Sequence, residues 1–127
     1  MMKQAIFVAT LDQLYPLLDF IQSVYIDQRI RLAAEEAVVN IINYSYPNGP
    51  GFIEVLCGIT HEEHSGQATF RLLFKDEGIP FNPLTERPPP SLENLGGYGI
   101  RLYCQLMDRV EYRRENHQNI LEFIRLL

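Results

Sequence analysis

The sequence predicts an α+β fold, a two-layer α/β sandwich in which about three helices cover one face of a mixed, mostly antiparallel sheet. Three observations carry this. Five short runs read as strands, several with apolar alternation, while three longer segments carry apolar residues at helical spacing. The two kinds of element are grouped along the chain instead of strictly alternating, and most neighbouring strands are joined by short polar turns, which favours hairpins over crossovers. At 127 residues with 46% hydrophobic, the chain has one ordinary domain's length and the material for one core. No repeat or linker divides it, so residues 1–127 read as a single unit.

Residues 4–9, "QAIFVA", are a short apolar run with strand character. A helix follows to about Val24, with Leu11, Leu14, Leu17, Leu18 and Ile21 at helical spacing. Thr10 or Asp12 can cap it. Asp12 is the preferred cap because it leaves Pro16 near the first turn, whereas deep in a helix proline costs about 3 kcal/mol. Asp27 is the expected cap of a second helix over 28–45, stopped by Pro47 and the turn "PNGPG".

"FIEVLCGI", 52–59, puts Ile53, Val55, Cys57 and Ile59 on one side, and "QATFRLLFKD" does the same with Phe70, Leu72 and Phe74. With the polar "THEEHSG" between them they form a hairpin with one buried face. Residues 77–99 break the pattern: five of the eight prolines lie between Pro80 and Pro90, and four of the eight glycines between Gly78 and Gly99. An irregular stretch of this length is usually a lid, a binding loop or disorder. Helical spacing resumes over 99–108 through Ile100, Tyr103, Leu106 and Met107, and "RVEYRRE" and "NILEFIRLL" close the chain as two strands around a turn at "NHQN".

Composition removes several classes. Sixteen acidic and eleven basic residues give a net charge of −5, and the basic residues are scattered except for Arg113 and Arg114. Nucleic-acid binding rests on a positive patch that releases counterions, so no direct DNA or RNA role is expected. The first residues hold one lysine and a short apolar run, neither a signal peptide nor a membrane span, and a cytoplasmic location is expected. Cys57 and Cys104 lie in apolar runs and read as reduced packing residues. His61 and His64 in "HEEH" sit three apart in a turn, not four apart on a helix, and read as a solvated loop.

Three constellations remain. In the second helix, Glu36, Asn40 and Asn43 fall within a strip of roughly 60° while Ala37, Val38, Val39, Ile41 and Ile42 fill most of the circumference. Short polar groups on so apolar a helix need a partner, which is either a neighbouring loop or cation such as Arg29 or Arg31, or a ligand. Asp76 and Gly78 stand where an apolar strand meets the irregular segment. A carboxylate there can accept a bond from an exocyclic amine, and a glycine lets backbone approach a flat ring, although an ordinary turn has the same composition. Gly96, Gly97 and Gly99 precede a helix, where backbone N–H groups and the helix dipole cradle phosphate, or where the chain merely hinges. Together they describe a hydrated metal–triphosphate site: an Asn oxygen suits Mg²⁺.

At these residues the sequence resembles the GHKL ATP-binding superfamily, and within it the bacterial anti-sigma factor serine kinases. "LAAEEAVVNIINYSYP" is similar to their N-box, "DEGIPFNP" to the first glycine box, and "GGYGIRLYCQLMD" to the second box and its helix. The resemblance implies a GHKL ATPase-like fold binding ATP and Mg²⁺ under a lid. It implies Asn40 as the magnesium ligand, Glu36 as general base toward a partner's serine, Asp76 as the adenine-reading carboxylate, and Gly78, Gly97 and Gly99 as nucleotide-binding glycines. Tyr44 stands where that family often has His. The implied partners are an anti-anti-sigma antagonist and a sigma factor or analogous regulator. Such relatives commonly dimerise, and the first strand and helix are candidate interface elements. A switch that binds ATP without catalysis and an interaction domain that has lost nucleotide binding are the alternatives to a kinase.

Overall fold

The computed structural model describes residues 1–85 and 98–127. The elements run β1 (Lys3–Val8), α1 (Leu14–Val24), α2 (Gln28–Tyr44), β2 (Phe52–His61), β3 (Ala68–Asp76), α3 (Tyr98–Leu106), β4 (Arg109–Glu115) and β5 (Gln118–Leu126). The sheet order is β1-β2-β3-β5-β4. Every pairing is antiparallel, so the parallel component that a mixed sheet would hold is missing among the described residues.

Register decides which face the helices cover. Val55 pairs with Phe74 and Phe74 with Leu121, while Cys57 pairs with Leu72 and Leu72 with Phe123. Because side chains alternate along a strand, these residues share one face, and all are buried. Against them lie Leu17, Leu18 and Ile21 of α1, Ile30, Val38 and Ile41 of α2, and Ile100 and Tyr103 of α3. Ala33, Ala34 and Ala37 are also buried, and their small size lets α2 pass close between its neighbours. Among the described residues no helix covers the opposite face, where charged side chains lie beside the buried Leu73 and Ile120. There Glu122 is buried at 2% exposure by Arg71, whose Nε donates to it at 2.8 Å, and by Arg113, whose Nη1 donates at 3.2 Å.

Helix ends follow their capping chemistry, with one correction. The Asp27 carboxylate accepts from the N–H groups of Arg29 at 2.8 Å and Ile30 at 3.2 Å, as expected of the cap of α2. Asp27→Ala leaves those donors to water and should lower stability by about 1 kcal/mol. A thermal melt would show this as a drop of roughly 3–5 °C. Asp12 is not the cap of α1. Its carboxylate takes the Thr10 hydroxyl, a tight turn over Leu11–Gln13 satisfies the next amide, and α1 begins at Leu14 with Pro16 still in its first turn.

The last two strands are joined by a two-residue turn, Asn116 and His117, with φ of 51° and 64°. Positive φ at both central positions is the hairpin turn whose twist matches the strands it joins. Glu115 and Gln118 therefore pair, and Asn119 lands opposite both Arg114 and Asp76, on the face that the helices cover. The other correction concerns cysteine. Cys57 is buried in β2, but Cys104 is exposed, because the buried stripe of α3 runs through Ile100 and Tyr103 and leaves the next residue outside.

Candidate functional site

The site forms where the end of β3 meets α2 and the start of β5. The alternation Phe70, Leu72, Phe74 carries Asp76 onto the helix-covered face, where it is only 3% exposed. Its Oδ1 accepts from the Gly78 N–H at 3.0 Å and from Asn119 Nδ2 at 2.9 Å. Burial pushes the Asp76 carboxyl above the usual Asp value, while Asn119, Gly78, Ser45 and Arg114 each favour its charged form. The result is a buried acceptor tied down by donors at the edge of a cavity.

That cavity, a small hollow of about 20 Å³, is lined by Asn40, Ile41, Ser45, Asp76 and Asn119 among others. Phe81 and Pro83, from the segment after Gly78, also line it. Phe81 stacks on Tyr44 with centroids 5.9 Å apart at 25°. The hollow is thus bounded by polar groups on the sheet side and by rings on the segment side, and at this size it admits a purine only when Phe81 and Pro83 move aside.

Asn40 and Asp76, far apart in sequence, face one hollow. Among the described residues no hydrogen bond ties the Asn40 amide, so its oxygen is available to a ligand. Glu36 sits one turn before it on α2. A Cβ built on Gly99 would lie 2.4 Å from Glu36 Oε2, so the carboxylate abuts the start of α3 with only a glycine in its way. Burial, and secondarily the charge of Glu35, raise the Glu36 carboxyl above the usual Glu value. Asn43, the last of the stripe, is exposed. Gly97, and Gly96 beside it, lie outside the described residues.

Gly78 has a protein neighbour of its own. It lines an open cleft adjoining the hollow, and a Cβ there would lie 2.2 Å from the Ser45 carbonyl oxygen. The Ile79 N–H donates to that same oxygen at 2.9 Å, and Arg114 Nη1 donates to the Gly78 carbonyl at 2.9 Å. The chain leaving β3 therefore crosses the end of α2 at backbone contact. Gly78→Ala forces the two apart and should cost about 1–3 kcal/mol, read as a lower melting temperature together with weaker nucleotide binding.

Asn119, Ser45 and Arg114 belong to the site but were not singled out from the sequence. Asn119 fell inside the "NHQN" turn, yet its alternation with Leu121 and Phe123 was the signal that it faces inward. His61 and His64 are exposed, and among the described residues no group of three His, Cys, Asp or Glu could hold a metal.

The model of the histidine kinase-like ATPase domain matches residues 7–125. The chain belongs to this family. Comparison with curated proteins gives no match. As a histidine kinase-like ATPase domain the chain is an ATP-binding module of ATPase or kinase-like type. In chemical type the residues suit such a ligand: Asp76 is a buried acceptor beside the hollow, and the Asn40 amide carries a hard oxygen of the kind that Mg²⁺ favours. Among the described residues no helix of this ATPase domain is long and apolar enough to cross a membrane.

Proposed function

We propose that this ATPase domain is an ATP-dependent serine kinase and anti-sigma-type regulator that acts in the cytoplasm by partner switching. It passes the γ-phosphate of ATP to a serine of an anti-anti-sigma antagonist and, in its other state, holds a sigma factor or analogous regulator. The observation that carries the reading is Glu36: half-buried, raised in pKa, set against Gly99 and one turn from Asn40.

In the reaction Asp76 accepts the exocyclic amine of the base, and Asn40 would hold Mg²⁺, which when bound neutralises charge on the phosphates. Glu36 takes the proton of the attacking serine hydroxyl as the new Oγ–P bond forms and the bond to the ADP oxygen breaks. The Gly97 and Gly99 amides take the phosphate oxygens. The exposed apolar residues Ile6, Leu11 and Tyr15 of the first strand, the turn after it and the first helix support a homodimer.

Incubation with Mg-ATP and a candidate antagonist, followed by mass spectrometry of the antagonist, tests this: phosphoserine is expected. Intact ATP binding without any phosphoserine on partners that bind would overturn it. The Phe81–Tyr44 stack on the hollow favours a second reading, a switch without catalysis in which the base must displace that ring. Partner affinity that changes with ATP while no phosphoserine forms would select it.

A further inference from the structure

The hydrogen bonds of Asn119 on β5 go beyond what a buried structural amide needs. The side chain, 5% exposed, makes four of them. Nδ2 donates to Asp76 Oδ1 at 2.9 Å and to the Ile79 carbonyl at 2.8 Å, while Oδ1 accepts from the Tyr112 hydroxyl at 2.5 Å and from the Phe81 N–H at 3.3 Å. The orientation of the amide is dictated by its neighbours. A backbone N–H only donates, so Oδ1 must face Phe81; a carbonyl only accepts, so Nδ2 must face Ile79. The amide hydrogen that reaches Asp76 is therefore fixed by the same chain segment that carries Phe81 over the hollow.

We infer that Asn119 is the positioning residue that sets base specificity, by holding the Asp76 carboxylate and the Ile79–Phe81 strap in one register. It fills its own hydrogen-bonding capacity and so does not touch the base. It commits Oδ1 of Asp76 to protein donors and ties the backbone of the strap to the same amide, so that the carboxylate keeps its orientation when the Phe81 ring gives way to a base. An amine at the purine 6-position donates into this arrangement, whereas an oxo group there sets one acceptor against another. Loss of a hydrogen bond to a charged group is worth roughly ten- to a hundredfold in affinity. The inference rests on Asp76 being the base-reading group.

The test compares ATP and ITP, which differ at that position, by calorimetry in the presence of Mg²⁺ on the full chain and on Asn119→Leu and Asn119→Asp. The wild type should prefer ATP roughly ten- to a hundredfold. Asn119→Leu keeps the volume and removes both donors, and its preference should fall to a few-fold. Asn119→Asp keeps the shape and the acceptor toward Phe81 but turns an oxygen on Asp76 and on the Ile79 carbonyl. It should lose the preference too, and it carries the test if the leucine variant does not fold. A discriminating wild type with variants that lose affinity for both nucleotides equally would overturn the inference, since a merely structural role acts on both alike. A wild type that binds both nucleotides equally would instead overturn the reading of Asp76, and the inference with it.

Discussion

Glu36→Gln should lower phosphoryl transfer to the antagonist by roughly 10²- to 10⁴-fold and leave ATP affinity intact. The amide keeps the shape of the carboxylate against Gly99, so the packing of α2 on α3 survives, but it cannot take a proton. The pH dependence makes the assignment specific. Burial first, and the neighbouring Glu35 charge second, hold the Glu36 carboxyl above its ordinary value of 4.5. A base must be ionised to act, so transfer by the wild type should rise with pH through that raised value and fall away in acid. The residual transfer of Glu36→Gln should lack this limb. Glu35→Gln removes the repulsion alone, lowers the Glu36 pKa, and should move the limb toward acid without abolishing transfer. A rate profile of Glu36→Gln that keeps the wild-type limb would assign the titrating base to another group.

Why these residues were readable from sequence, while their supporters were not, follows from where each sits. Asn40 and Glu36 show because they interrupt an otherwise apolar helix, and Asp76 because it ends an apolar alternation. Local pattern was enough. Asn119 and Arg114 act from the hairpin after α3, and their relevance depends on β5 pairing with β3 in a register that brings Asn119 beside Asp76. That pairing is long-range, and the only local trace of it is that a polar residue shares the inward phase of Leu121 and Phe123. Gly78 was legible as a glycine that something must approach. The nearest neighbour proved to be the carbonyl of Ser45, a contact between a strand end and a helix end that no window of sequence contains. Asp12 failed for the opposite reason: a bond two residues away, to Thr10, outcompeted the helix for its carboxylate.

Asp76→Asn should weaken ATP binding roughly ten- to a hundredfold while leaving the fold at least as stable as the wild type at neutral pH. The two effects separate because the carboxylate's charge serves the ligand and burdens the fold. Desolvation is the largest influence on Asp76 and raises its pKa above 3.8, even though Asn119, Gly78, Ser45 and Arg114 pull the other way. A carboxyl raised in the folded state binds its proton more tightly there than in the unfolded chain. Its contribution to stability is thus fully present below 3.8 and is lost as pH rises through the raised folded value. Asparagine carries no such loss. Its oxygen still accepts from Gly78 and Asn119, so the difference in melting temperature between Asp76→Asn and the wild type should move in the variant's favour as pH rises from about 4. The new amide hydrogens meet the 6-amino group of adenine donor to donor, yet they suit the oxo group of ITP, so the variant should bind ITP in preference to ATP. A variant that melts well below the wild type at neutral pH would mean that Arg114 and the surrounding donors need the negative charge for folding. Asp76 would then be a structural anion with no reason to face a base.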